Sequence, residues 1–249
     1  MDTGKILKNS QIIILGVCIA AATIVSSVIL SQGFLKIMRF TRELISVTGS
    51  AQKDIKSDYA VWKGEFSRRE NDLANAYKNL KADLEKVKSY LMLKGVNERE
   101  IIISQVSTAT IYRKNNTGND TNDIQGYCLS QGVEIRSSDV DKITQVSREA
   151  TELIDRNIQF ESQSPEYFYT KLDELKIEML AKATENAKQR AENMTKATGN
   201  KIGFMRSARM GVFQITPLNS TEVSDWGVND TTSLEKKVTA VVTVSFAIE

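Results

Sequence analysis

"AKATENAKQRAENMTKATG", Ala181–Gly199, is the stretch on which the fold is read. Ala183, Ala187, Ala191 and Thr195 recur every fourth residue, which stacks them on one face of a helix. Upstream the same face carries Leu172, Leu175 and Met179, and downstream it ends near Met194 and Ala197. Large side chains give way to methyl groups along one stripe. Ala183, Ala187 and Ala191 are therefore expected to form a close-packing face, with the chain's own sheet as its neighbour. Lys182, Lys188, Arg190 and Lys196 are interspersed with Glu185 and Glu192, which reads as a solvated outer face without a continuous basic strip.

Working outward, this helix spans about residues 171–198 and stands among alternating segments. "ELISVTGSA" (Glu43–Ala51) puts Ile45, Val47 and Gly49 on one face of a strand. "YAVWKGEFS" (Tyr59–Ser67) puts Ala60, Trp62 and Phe66 together, and "KDIKSD" between the two strands reads as a hairpin connection. A helix follows at about residues 71–94, with a stripe of Leu73, Tyr77, Leu80, Leu84, Val87 and Leu91, a cap at Asn71 or Asp72, and a stop at Gly95. Strands are expected at about 101–113 and 124–137, joined by the polar turn "KNNTGNDTND". A second helix is expected at about 139–156, buried through Val140, Ile143, Ala150 and Leu153. After a short strand near Asn157 and the main helix, strands at about 201–216 and 236–249 flank a long polar loop, residues 217–235. The order predicts an α+β body, residues 43–249, with a largely antiparallel sheet and three helices.

The N-terminal part differs in kind. "IIILGVCIAAATIVSSVILS" (Ile12–Ser31) lies in a run without charge between Lys8 and Lys36. A helix of that length crosses the roughly 30 Å of a bilayer's hydrocarbon core. We expect a short tail at 1–11, a transmembrane signal anchor at 12–35 and a juxtamembrane linker at 36–42. Apolar sequence continues past Ala20–Ala22, which favours an uncleaved anchor over a cleaved signal peptide. Lys5 and Lys8 precede the span and Lys36, Arg39 and Arg42 follow it, so flanking charge alone leans slightly towards a cytoplasmic C-terminus.

Composition excludes several chemistries. The chain has 249 residues and no histidine, which removes histidine-based catalysis, metal sites and pH switches. Cys18 and Cys128 lie in unlike segments, and two cysteines make no metal cluster. A net charge of +2 argues against an electrostatically driven nucleic-acid binder. No glycine-rich phosphate loop and no nucleophile elbow occur. No catalytic residue, cofactor-binding residue or metal ligand is assigned. "PEYFYT" (Pro165–Thr170) is read as a staple fixing the entry to the main helix. Trp226, among Asp, Asn, Gly and Thr, is expected to pack back on its own domain, with a partner interface as the alternative.

These motifs together resemble a family. "ISVTGSA", "GYCLSQGVEIRSSDVDKI" and "AKATENAKQRAENMTKATGNKIG" look like the SIMPL domain family, which includes bacterial periplasmic immunogenic and oxidative-stress defence proteins. The matching residues are Gly49; Gly126 and Tyr127; Val133, Asp139 and Val140; and Ala183, Ala187, Arg190, Ala191, Gly199 and Gly203. The resemblance implies an α+β domain exported to the periplasm, a homo-oligomer, and no catalytic residue or cofactor. It sets the orientation: a single-pass protein of the bacterial inner membrane, body in the periplasm. Its partners would be the membrane, through the N-terminal helix, and copies of itself, with no nucleic acid. The expected function is that of a membrane-anchored, non-enzymatic envelope protein with a role in stress tolerance. The alternative is a periplasmic small-molecule or lipid-binding module with its cleft between the main helix and the sheet.

Overall fold

The computed structural model describes residues 3–249, with side chains for residues 14–35 and 43–249. Helix α1 (Thr3–Arg42) is continuous. It takes in most of the segments read as a tail and a linker, because straight-chain residues such as Lys36, Met38 and Arg39 extend a helix readily. Within it Ile14–Leu35, 22 residues, is long and apolar enough to cross a membrane, and none of it is buried. The flanking charges Lys5, Lys8, Lys36, Arg39 and Arg42 have side chains outside the described residues, as do Ile12 and Ile13; Met1 and Asp2 lie outside them altogether.

Beyond α1 the α+β class holds, with three further α-helices that bring the total among the described residues to four. The strands are β1 (Leu44–Lys56), β2 (Tyr59–Glu70), β3 (Ile101–Lys114), β4 (Asp120–Ser137), β5 (Gln159–Ser162), β6 (Glu166–Phe168), β7 (Ile202–Met210), β8 (Gln214–Pro217), β9 (Val228–Asn229) and β10 (Glu235–Ile248). The helices are α2 (Leu73–Leu93), α3 (Val140–Glu149) and α4 (Leu172–Ala197). The single sheet of the sequence reading resolves into two. One has the order β1-β10-β8-β9 with β7 also on β10; the other has β3-β4-β2-β5 with β6 also on β2. The pairs β2-β4, β2-β5, β2-β6, β3-β4, β7-β10 and β8-β10 are antiparallel, and β8-β9 is parallel. The chain divides into two compact units.

The larger unit, Gln52–Met179 with Val212–Ala240, is built on the β3-β4-β2-β5 sheet. Ala60, Trp62 and Phe66 of β2 are wholly buried with Leu129, Val133 and Ile135 of β4, the alternation that puts one face of each strand inward. Helices α2 and α3 cover that face through Leu80, Val87 and Leu91, and through Val140, Ile143 and Val146. Asp72 caps α2 by accepting from the Asn75 N–H, and Asp139 caps α3 from Lys142. Gly95, at φ +84°, adopts the left-handed conformation that ends α2.

Four expectations change here. β1 and β2 do not form a hairpin but pair in different sheets; at the link, Ser57 N–H bonds to Leu234 O and Asp58 N–H to Phe168 O. The helix expected to reach residue 156 stops being α-helical at Glu149 and tightens into a 3-10 turn, Ala150–Leu153, before Asn157 reverses the chain at φ +62°. "PEYFYT" is no staple: Glu166–Phe168 is an edge strand in register with Tyr59–Val61, and the Tyr167 hydroxyl lies 2.9 Å from that of Thr144. The strand expected at 201–216 is interrupted at Gly211, which separates β7 from β8.

The smaller unit comprises Met1–Ala51, Leu180–Gly211 and Val241–Glu249. In it β10 lies between β1 and β7. Glu43 O accepts from Ile248 N–H, Ser46 stands opposite Ser245, and Thr48 opposite Thr243, the descending register of an antiparallel pair. Val242, Val244 and Phe246 of β10 are buried together with Val47 of β1.

Candidate functional site

In the smaller unit the methyl stripe of α4 meets β1. Ala183, Ala187 and Ala191 are fully buried and Thr195 nearly so. Opposite them is Gly49, where an added Cβ would stand 2.2 Å from Ala183 O, 2.4 Å from Ala187 N and 2.7 Å from Ala187 Cβ. Helix and strand backbones touch there, which leaves no cleft at that point. Leu is expected to be poorly tolerated at Ala187, costing roughly 1–3 kcal/mol in urea unfolding by overpacking. Unchanged stability would mean that the face gives way more easily than its packing implies.

β1 is an edge strand, so alternate peptide groups point away from β10. α4 supplies their partners: Asn186 Oδ1 accepts from Ser50 N–H at 3.2 Å, and Arg190 Nη1 donates to Thr48 O at 3.0 Å. Arg190, read from sequence as part of a solvated face, thus seals a sheet edge. Its periodicity gave no sign of this, because the partner is a backbone atom 142 residues away. Met194 and Ala197, assigned to the buried stripe, are exposed, and Thr195 takes their place with its hydroxyl bonded back to Ala191 O.

A hollow of about 480 Å³ lies at the C-terminal end of α4, lined by Glu192, Thr195, Lys196, Asn200, Lys201 and Ile202 among others. A second, of about 250 Å³, lies in the larger unit over Gly132, between Lys63, Glu65, Ile102 and Glu134. Neither contains a nucleophile paired with a base. Among the described residues no three His, Cys, Asp or Glu side chains gather as metal ligands.

A titratable cluster ties α2 to the end of α3. Lys94 Nζ lies 2.8 Å from Glu149 and 3.0 Å from Glu152, and the Tyr90 hydroxyl donates to Glu149 O and Glu152. The hydrogen bond to Glu149, then that to Glu152, holds Lys94 above the ordinary lysine range. Lys94 in turn holds both carboxyl groups below theirs, and burial raises Tyr90. Their contribution to stability is therefore present above the ordinary glutamate value of about 4.3 and is lost as pH falls through the lowered folded-state values. Lys94→Met should lower the thermal midpoint at pH 7, and the difference from wild type should shrink on acidification below about pH 4. A deficit independent of pH would show that the ion pairs contribute nothing.

The loop 217–235 belongs to the larger unit and is firmly held. The side chain of buried Gln214 donates to Ser224 O at 2.7 Å and accepts from Val228 N–H at 2.9 Å and Ser224 N–H at 3.3 Å. Farther along, buried Lys236 donates to Tyr167 O at 2.6 Å and Asp230 O at 2.5 Å, and desolvation lowers its pKa. Gln214 brackets a tight turn, Ser224–Gly227, closed by Gly227 N–H to Ser224 O and by Gly227 at φ +86°. Trp226 sits in that turn at 94% exposure. The expectation that it packs back on its own domain is overturned, because the pinned turn carries the indole away from every core surface.

The SIMPL family model, described as a protein of unknown function (DUF541), matches residues 45–246. The chain belongs to the SIMPL family. The match runs from β1 to β10 and so includes both compact units, the Gly49–α4 contact and the Trp226 loop of this SIMPL protein. A search of curated proteins finds no match. Among solved structures, the chain is similar to an amidase of the hydantoinase/carbamoylase family from Burkholderia phymatum, at 9% identity and a TM-score of 0.30. The alignment covers 52% of this chain and 34% of the amidase, so the SIMPL chain spans about a third of that protein's length. At that score the likeness carries no argument about activity.

Proposed function

We propose that this SIMPL protein is a membrane-anchored, non-enzymatic component of the bacterial envelope that works by homo-oligomeric assembly or by binding a protein partner. The observation that carries this reading is the combination of a 22-residue unburied apolar helix segment with a folded body that presents a wholly exposed tryptophan on a rigid turn. Tryptophan is the side chain most enriched at the energetic centres of protein interfaces. Anchoring confines copies to one surface, which raises their effective concentration and strengthens weak mutual contacts. The resemblance to periplasmic and oxidative-stress defence proteins supports a body in the periplasm, a single-pass inner-membrane topology and a role in stress tolerance.

The alternative, a small-molecule or lipid-binding module, finds less support. The face of α4 is closed against β1 at Gly49, where such a cleft was expected, and the hollow of about 480 Å³ is confined to the end of that helix. A mass measurement on the native, detergent-extracted protein decides between them. A multiple of the 27.8 kDa subunit is expected. A strict monomer removes self-assembly, and a monomer retaining a stoichiometric small molecule establishes the alternative. Fusing a reporter after Glu249 tests the topology: a reporter active only in the cytoplasm should stay silent, and its activity would reverse the orientation.

A further inference from the structure

β7 is the other conspicuous surface. Among the described residues it pairs with β10 along one edge only. Met205, Ala208 and Met210 stand opposite Phe246, Val244 and Val242 in the register, so they share the face that β10 buries. On β7 that face is open: Met205 and Met210 are each 56% exposed, and Phe204, at the irregularity between Met205 and Ile202, is 77% exposed. The strand and its leading residue carry Lys201, Arg206 and Arg209 and no acid. The Glu249 carboxylate lies over Gly203 at the start of the strand. The Trp226 loop is the converse. Residues 217–235 carry Glu222, Asp225, Asp230 and Glu235 and no base, and Val223 beside them is exposed like Trp226.

Resting on the self-assembly reading above, we propose that the Trp226 turn of one copy docks on β7 of a second copy, with the indole against Met205 and Met210. The charges are complementary: an acidic loop meets a basic strand. The apolar groups are complementary as well, since thioether side chains adapt to an aromatic ring and attract it. The same charges disfavour the obvious alternatives. Two β7 strands placed edge to edge would oppose Arg206 and Arg209 to their own copies, and two loops would oppose carboxylates. The contact therefore joins two unlike surfaces, the loop of one copy and β7 of another; made reciprocally it closes a two-fold dimer, and repeated from copy to copy it builds rings or filaments.

The test uses the full chain in detergent. Trp226→Ala removes the loop anchor and Arg209→Glu reverses the charge of the strand; both side chains are exposed, so neither substitution disturbs a core. Each variant alone should associate about thirtyfold more weakly than wild type, as loss of an interface centre does. Mixed together they should form a dimer and nothing larger, because the first keeps a sound β7 and the second a sound loop. Wild-type assembly should also weaken with salt, and should shield Trp226 from a water-soluble quencher, while buried Trp62 supplies a constant background. Variants that assemble as wild type does would overturn this surface pairing and leave self-assembly standing. Variants that stay monomeric when mixed would overturn the pairing of loop with strand. A wild-type protein that is itself monomeric would remove both this contact and the self-assembly reading.

Discussion

Gly49→Ala should cost about 3 kcal/mol or more, a larger loss than substitution in most cores, although it adds a single methyl group. The new Cβ would meet Ala183 O at 2.2 Å and Ala187 N at 2.4 Å, and both are backbone atoms of α4. A flexible side chain could turn aside, but a helical peptide cannot, so α4 must lift from β1. Lifting it also stretches the bonds from Ser50 N–H to Asn186 and from Arg190 to Thr48 O, which seal the edge of β1. Overpacking typically costs 1–3 kcal/mol and more where the neighbour is rigid. The cost is read as a shift in urea midpoint at constant slope. Ala187→Gly removes the 2.7 Å contact with Ala187 Cβ but leaves the two backbone contacts, so it should rescue only part of the loss. Complete rescue, or a cost under about 1 kcal/mol, would mean that α4 and β1 are not in rigid backbone contact.

That contact shows what the sequence made legible and what it hid. The ladder of Ala183, Ala187 and Ala191 announced a close approach, because a run of methyls on one helical face has few other uses. Its partner was hidden. Gly49 lies 134 residues before Ala183, and a lone glycine in a strand reads equally well as a bulge or a close approach. Alternation located β1, β2, β4 and β10, since β2 and β10 bury one face along most of their length and β1 and β4 along part of theirs. Alternation could not assign strands to sheets, so β1 and β2 passed for a hairpin. The Trp226 turn was hidden for another reason. Burial depends on how the loop is pinned, and the pin is the amide of Gln214, a residue without a pattern of its own. On α2 the expected stripe was displaced: Leu73 and Tyr77 are exposed, while Asp83 and Tyr90 are buried. A scale of hydrophobicity places an aspartate outward, and only its partner brings it in.

That partner is Arg68, and Arg68→Met should be among the most destabilising changes in the larger unit. Arg68 lies on the inward face of β2, two residues beyond buried Phe66, where the strand's alternation calls for an apolar side chain. It donates from Nε and Nη2 to the two carboxylate oxygens of Asp83, whose side chain is 1% exposed. Its Nη2 also bonds Asn157 O at 2.8 Å, at the residue held at φ +62°. Methionine fills much of the same space but leaves the buried carboxylate to the longer contact with Lys86, at 3.4 Å and half exposed. Breaking a buried ion pair from one side costs about 3–5 kcal/mol, because the surviving charge has lost its solvent and its partner. Removing both charges is a different experiment. Arg68→Met combined with Asp83→Leu leaves no stranded carboxylate and places two apolar side chains in an apolar layer. The double variant should recover most of the loss and fall near wild type, since a buried pair contributes little beyond offsetting its own desolvation. In a double-mutant cycle the coupling should therefore exceed about 2 kcal/mol, well outside the scatter expected of independent sites. Additive losses would show that the two side chains stabilise the fold separately, Arg68 through Asn157 and Asp83 through Lys86, rather than as a pair.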